Sequence, residues 1–353
     1  MHITVVGAGV TGLSCALELA EADHDVTVIA DHGPGDTVSA RAAAIWFPYR
    51  VAVADPDLSA DHLLERSLAR FVGLASTAAS AGEDADDISD DLPPVEMRRG
   101  LVRERTATPD RSWITPVVNV LGADAVSEVD GGVQATLPMI MTPTYLAWLM
   151  DSCRIAGVRF RWRTVESLAA LCAGEYGTDS PDAVVVAGGI RGGEVLGGDA
   201  EILPVRGQIV VLANGDGDAG TGDDTGPHLT DWLIDDDNPA GETYVLPRVD
   251  DIVVGGTAEV GSWDDAPDAE TAEVILARAE AAVPELAELP ILGHGAGLRP
   301  GRSSLRLGLL TDDELPDGTP DIPVIAAYGH GGAGVTLSWG TAERVTELVA
   351  TLG

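Results

Sequence analysis

The chain has 353 residues, 45% of them hydrophobic, enough for two domains or one large one with a substantial core. Its 57 Asp plus Glu stand against 21 basic residues, every one an Arg, for a formal net charge of -36. That balance argues against a phosphate-neutralising nucleic-acid surface, and no apolar run reaches the roughly 18 residues of a membrane span.

The first elements are the most informative. Residues 3–6, Ile-Thr-Val-Val, read as a strand. Gly7-Ala8-Gly9-Val10-Thr11-Gly12 reads as a glycine turn opening a helix over 13–22, with Leu13, Ala16, Leu17 and Ala20 on one apolar face. Residues 26–30 form a second strand, ended by Asp31. Gly7 permits the tight turn, Gly9 a close approach to a pyrophosphate, and Gly12 close helix–strand packing. The helix N-terminus offers bare N–H groups to the phosphates. Asp31 sits at about the 20-residue offset of an acid that binds a ribose. This pattern predicts a dinucleotide site and leaves FAD or NAD open.

Residues 32–35 are a turn. Residues 37–49 run from small residues to Trp46, Phe47 and Tyr49, which suits a backbone passing under a flat ring and equally an alanine-rich helix start. A helix is predicted over 58–77, a solvated acidic loop over 82–91, and short strands of a second domain over 96–140. Thr142 is expected to cap a helix with Pro143 at its first position, stopped at Gly157. A strand over 158–161, a short helix over 165–172 and a buried parallel strand over 182–189 follow.

From Arg206 the pattern is of strands at hairpin spacing: 207–212, 228–234, 243–249 and 252–256, with a Gly/Asp loop over 215–226. They predict an antiparallel sheet. A helix over 268–283, stopped by Pro284, precedes strands over 293–299, 305–310 and 323–328. A second glycine loop, 329–334, then opens a helix whose apolar side includes Ala342, Val345 and Val349. A second glycine loop following a buried strand suits a long ligand stretched across the sheet, which favours FAD over NAD.

The chain is expected to be soluble and cytoplasmic, with no secretory signal and no peroxisomal address at Thr351-Leu352-Gly353. An acidic excess without lysine suits a halophile, in whose molar salt the Debye length shrinks to about 3 Å. Cys15, Cys153 and Cys172 form no Cys-x-x-Cys pair and are expected to be reduced structural thiols. His228 and His294 lack metal-ligand spacing, so no metal is expected.

Several of these segments together resemble the D-amino acid oxidase family of FAD enzymes. They are residues 5–14, 42–49 (Ala-Ala-Ala-Ile-Trp-Phe-Pro-Tyr), 204–208 (Pro-Val-Arg-Gly-Gln), 244–247, 255–257, 297–300 (Gly-Leu-Arg-Pro) and 328–340, in the family's order. The resemblance implies an α/β protein: a Rossmann-like FAD-binding domain interleaved with an α+β substrate domain built on an antiparallel sheet. The first would comprise residues 1–48, 142–203 and 295–353, the second 49–141 and 204–294.

It implies oxidation of a D-amino acid by hydride transfer to non-covalent FAD, with oxygen giving hydrogen peroxide. The partners are then a small-molecule D-amino acid and oxygen, with no nucleic acid or membrane, and a homodimer left open. Arg299 matches the family's carboxylate arginine, Tyr244 its carboxylate-binding tyrosine, and Gly332 the carbonyl that accepts from the amine. On sequence alone Arg299 would read as a strand-edge arginine. Cofactor contacts are expected from Gly7, Ala8, Gly9, Val10, Thr11, Gly12, Asp31, Thr37, Ser39, Ala43, Ala44, Ile45, Val165 and Gly188. At the far end they are expected from Arg299, Gly329, Gly331, Gly332, Ala333, Gly334, Val335 and Thr336. His330 is read as part of the flavin loop rather than as a base.

Two departures stand out. Ala240 replaces a second tyrosine of animal-type members, beside a short loop over 235–239, and Trp232 is the candidate to supply the missing wall. Ala258, followed by Glu259, replaces the arginine of acidic-substrate relatives, so neutral D-amino acids are expected over D-aspartate. A glycine or sarcosine-type amine oxidase, a flavin-dependent dehydrogenase and a non-catalytic dinucleotide binder remain as alternatives.

Overall fold

The structure, a computed structural model, describes residues 1–55, 58–82, 92–215 and 227–353. The loops expected over 82–91 and 215–226 fall, apart from their first residues, outside this set.

The chain opens with β1 (His2–Val6), α1 (Val10–Glu21) and β2 (Asp25–Ala30), followed by α2 (Ala60–Gly82), β3 (Val95–Arg103) and α3 (Ile114–Leu121). Then come β4 (Val126–Val129), β5 (Gly132–Ile140), α4 (Thr142–Ile155), β6 (Arg159–Trp162), α5 (Leu168–Cys172) and β7 (Ala183–Val186). The second half holds β8 (Leu203–Ala213), β9 (Trp232–Asp235), β10 (Thr243–Pro247), β11 (Asp251–Gly255), β12 (Glu259–Val260) and α6 (Ala269–Ala282). It closes with β13 (Ile291–Gly301), β14 (Arg306–Leu309), β15 (Val324–Tyr328) and α7 (Ser338–Ala350).

A six-stranded sheet in the order β14-β15-β7-β1-β2-β6 gathers strands from the start, middle and end of the sequence. It is parallel except at β14, which runs against β15. Strands β7 and β15 are buried along their whole length, as expected for parallel strands covered on both faces. Helix α1 packs against α4 and α7, and Cys153 on α4 donates its thiol to the carbonyl of Leu13 at 3.4 Å.

A nine-stranded sheet takes the order β12-β8-β11-β10-β9-β3-β5-β4, with β13 also on β8. It is not wholly antiparallel: β3 and β9 run parallel, Gly100 opposite Trp232. No hairpin joins these strands, so their relative direction is not fixed by a turn. The boundary expected at residue 295 falls inside β13, which pairs with β8 out to Gly301. Residues 295–301 therefore extend the second sheet.

Other local expectations shift for identifiable reasons. Thr142 does not cap α4: its hydroxyl donates to the carbonyl of Ala42 at 2.6 Å. The helix expected from residue 165 starts at Leu168, where the Ser167 side chain accepts from Ala170 N–H. The strand expected from 228 starts at Trp232, because Asn214 holds residue 229 by backbone contacts: its Oδ1 accepts from Leu229 N–H at 2.8 Å, and its amide donates to the Leu229 carbonyl at 2.9 Å.

Candidate active site

Gly7 follows β1 with φ +118, and a Cβ there would meet the Ala187 carbonyl oxygen at 2.5 Å. A Cβ at Gly12 would strike the carbonyl of Gly7, so the turn and the helix close on each other only as glycines. Helix α1 then begins with no side-chain cap and no acidic residue in its first turn. Its Val10 N–H donates to Ser39 Oγ at 3.1 Å. Such a terminus is suited to an anion.

This turn opens into a cavity of about 680 Å³ that reaches the second sheet. Its wall includes Gly7, Ala8, Gly9, Val10, Thr11, Asp31, Thr37, Ser39, Ala43, Ala44, Ile45, Val165 and Gly188. It also includes Tyr244, Arg299, Gly331, Gly332, Gly334, Val335 and Thr336. Three of the expected residues lie behind the wall: Gly12 packs on Gly7, Gly329 on the side chain of Arg302, and Ala333 is buried with its N–H on the His330 carbonyl at 3.0 Å. Asp31 is also engaged by protein, accepting from Arg191 Nη1 at 2.8 Å.

The segment after Thr37 forms only a short 3-10 turn, Val38–Arg41, and then runs on along the cavity outside any helix or strand. Ala44 takes φ +51, which costs a small side chain least. The conformation is held by Ile140 N–H on the Ala44 carbonyl at 2.8 Å and Trp46 N–H on the Pro138 carbonyl at 2.9 Å. A glycine-lined cradle, a helix whose N-cap residue Gly9 brings no side chain, and a small-residue strip in one cavity fit a dinucleotide carrying a flat ring.

The far end carries the polar groups. Arg299 on β13 donates from Nη1 to the Thr257 carbonyl at 2.8 Å, and its guanidinium lies 5.5 Å from the centre of the Tyr49 ring. Tyr244 on β10 is close enough to feel that cation: burial pushes its phenol up, and Arg299 pulls against the rise. The Tyr49 ring also covers Gly332, where any Cβ would strike it. The Tyr49 hydroxyl donates to Glu242, and Arg50 Nε donates to the same hydroxyl at 2.7 Å. Burial, then the Glu242 carboxylate, raise the Tyr49 phenol.

Trp232 does not line the cavity. Its ring packs on Gly100, and its Nε1 donates to the Arg98 carbonyl at 2.8 Å. The exposed tryptophan of the wall is Trp263, 64% accessible, in the turn after β12. Ala240 lies outside the cavity wall, with its carbonyl accepting from Arg278 Nη1 at 3.1 Å. Asp236 lines the wall instead. Desolvation and the carboxylates of Glu242 and Asp237 push it up to about 6.

His330 is 3% exposed, and its Nε2 lies 3.0 Å from Thr341 Oγ1. Burial pulls it down to about 4, so it stands neutral and weakly basic against the cavity. The three cysteines are all buried.

Of the cavity residues, Asp236, Trp263 and Arg191 escape a reading of the sequence. None sits in a periodic pattern or at a motif spacing. Tyr49 does carry a signal, since it closes the aromatic run after the small-residue strip.

A model of the family described as DAO, FAD dependent oxidoreductase, matches residues 2–348. The chain is 39% identical over 348 residues to a D-amino-acid oxidase of Rubrobacter xylanophilus, covering 98% of this chain and 94% of that one. It is 34% identical over 351 residues to a D-amino-acid oxidase of Streptomyces coelicolor, covering 99% and 97%. The glycine oxidase of Geobacillus kaustophilus has a similar fold, with a TM-score of 0.72 at 19% identity, covering 99% of this chain and 94% of that one.

Proposed function

The chain belongs to this DAO family of FAD-dependent oxidoreductases, and from that premise we propose that it is a D-amino-acid oxidase. The observation that carries the reading is that Arg299 and Tyr244 share one cavity with the glycine turn before α1. FAD, the family's cofactor, supplies a hydride acceptor when bound.

The chain's own part is to hold and orient. Arg299 offers the planar, two-pronged cation that an α-carboxylate pairs with best, and the Tyr244 hydroxyl donates to the same group. The Gly332 carbonyl accepts from the substrate amine. The α-hydrogen leaves with its electron pair, so orientation is required and a general base is not. The imino acid formed is released to water, which gives a 2-oxo acid and ammonia. Oxygen takes up the two electrons together with two protons and becomes hydrogen peroxide.

In this reading the first sheet and its helices carry FAD, and the second sheet carries the substrate. Neutral D-amino acids are favoured over D-aspartate and D-glutamate. The support is that Ala258 offers no cation for a second carboxylate, and that Glu259 beside it accepts from Arg206 Nη1 at 2.8 Å. The charge balance supports a working place in a salt-rich cytoplasm.

The test is a panel of D- and L-amino acids, glycine and sarcosine against the flavin-loaded enzyme in high salt. Bleaching of the flavin by D-alanine with peroxide release is expected. Bleaching by L-alanine or sarcosine instead, or bleaching without peroxide, would overturn the assignment.

A further inference from the structure

Four carboxylates crowd the end of β9 and its connection to β10, and three of them are already matched. Asp235 accepts from Arg105 at 2.8 and 2.6 Å. Glu242 is held by Arg50 and by the Tyr49 hydroxyl. Asp237 accepts from Thr106 Oγ1 at 3.2 Å. Among the described residues, the Asp236 side chain has neither a hydrogen bond nor an ion pair, and it is the one of the four that lines the cavity. It lies close enough to Tyr244 for its charge to oppose ionisation of the phenol. A carboxylate with no hydrogen bond or ion pair among the described residues therefore stands at the wall of the cavity that holds Tyr244 and Arg299.

Such a charge does nothing for the α-carboxylate, which Arg299 and Tyr244 engage. It can act on whatever the substrate carries beyond the α-carbon. We propose that Asp236 is a specificity-determining residue that favours D-amino acids with a cationic side chain over neutral ones of the same shape. The inference rests on the D-amino-acid oxidase reading and adds to it which side chains the cavity rewards. The charge is present only when Asp236 is ionised; desolvation opposes this first, then the carboxylates of Glu242, Asp237 and Asp235, while Arg50 favours it.

D-Arginine and D-citrulline test it, being nearly isosteric and differing in charge. With flavin-loaded enzyme near pH 8, kcat/KM for D-arginine should exceed that for D-citrulline about fivefold, the scale of one solvent-accessible charge pair. Asp236→Asn should bring the ratio close to one, and Asp236→Glu should keep it above one. In the unaltered enzyme the ratio should also fall as the pH drops through about 6. A ratio at or below one near pH 8, a ratio independent of pH, or one unchanged in Asp236→Asn overturns the proposal. D-Alanine separates the two levels. If no D-amino acid bleaches the flavin, the oxidase reading falls; if D-alanine is oxidised but the ratio is flat, only the role of Asp236 falls.

Discussion

The guanidinium of Arg299 sits over the ring of Tyr49, 5.5 Å from its centre, although the two residues come from opposite ends of the chain. The ring fixes the cation from one side and Thr257 fixes it by a 2.8 Å hydrogen bond from another. Arg299→Ala should raise the apparent KM for D-alanine by about a hundredfold or more, the cost of leaving a carboxylate without its charged partner, while the flavin spectrum is kept. Tyr49→Ala should lower kcat/KM by about fivefold through loss of the cation–π support, and Tyr49→Phe should retain most of it. Steady-state peroxide assays on the three variants check both statements.

Asp31 is shared between the cavity and Arg191, which donates to it at 2.8 Å. Asp31→Ala should weaken FAD binding by about tenfold, as loss of a charge-assisted hydrogen bond would. Arg191→Ala should leave binding closer to normal, because the freed carboxylate still accepts from a ribose. Quenching of flavin fluorescence on titration into apoprotein gives both constants. Equal losses in the two variants would assign Asp31 to Arg191 alone.

His330 makes a pH signature. Its folded value of about 4 lies below the ordinary 6.5, so the unfolded chain takes up a proton in that interval while the native one does not. Stability from this residue is therefore complete above about pH 6.5 and is lost as the pH falls toward 4, at most roughly 3 kcal/mol. Denaturant unfolding of the protein and of His330→Gln at several pH values should show a steeper acid loss in the former. Parallel curves would remove His330 from the acid response. A neutral His330 also predicts no titration of kcat from this group between pH 5 and 8.

Asp199 gathers charge where the first sheet meets the loop after β7. Its carboxylate accepts from Tyr328 Oη at 2.9 Å, Arg302 Nε at 3.1 Å and Arg306 Nη1 at 3.2 Å. Asp199→Ala would remove the carboxylate that Arg302 and Arg306 share and leave them to Glu201 and Glu314, a loss of about 1.5–3 kcal/mol on the scale of a hydrogen bond to a charged group. A melting temperature lowered by several degrees, with a smaller loss in Asp199→Asn, is the expected result.

The surface as a whole predicts salt dependence. With 57 acidic against 21 basic residues, self-repulsion should weaken the fold in dilute buffer and fade as salt screens it. The melting temperature should rise by about 10 °C between low and molar salt, equivalent to several kcal/mol for a chain of this size. An unchanged melting temperature without salt would sink the high-salt reading.

The first sheet was largely legible in the chain, because parallel strands buried on both faces write themselves as apolar runs and glycine turns have few spellings. Gly7 and Gly12 illustrate this: each is required by a backbone that would otherwise collide. The second sheet was less legible. The parallel pairing of β3 with β9 joins residues 100 and 232, and no local pattern encodes which distant strand a strand will meet. Asp236 was invisible for a related reason. Its significance lies in a side chain with no hydrogen bond or ion pair among the described residues, and an absence of that kind belongs to three dimensions. Trp232 misled because an indole reads the same whether it faces a cavity or packs on a glycine.

Strand β13 does more than carry Arg299. The carbonyl of the next residue, Pro300, accepts from Gly331 N–H at 2.9 Å. The strand that holds Arg299 is thereby stitched to the loop that holds Gly332. A shift of β13 would therefore carry the Gly331–Gly332 loop with it, so Arg299 and Gly332 keep step across the cavity.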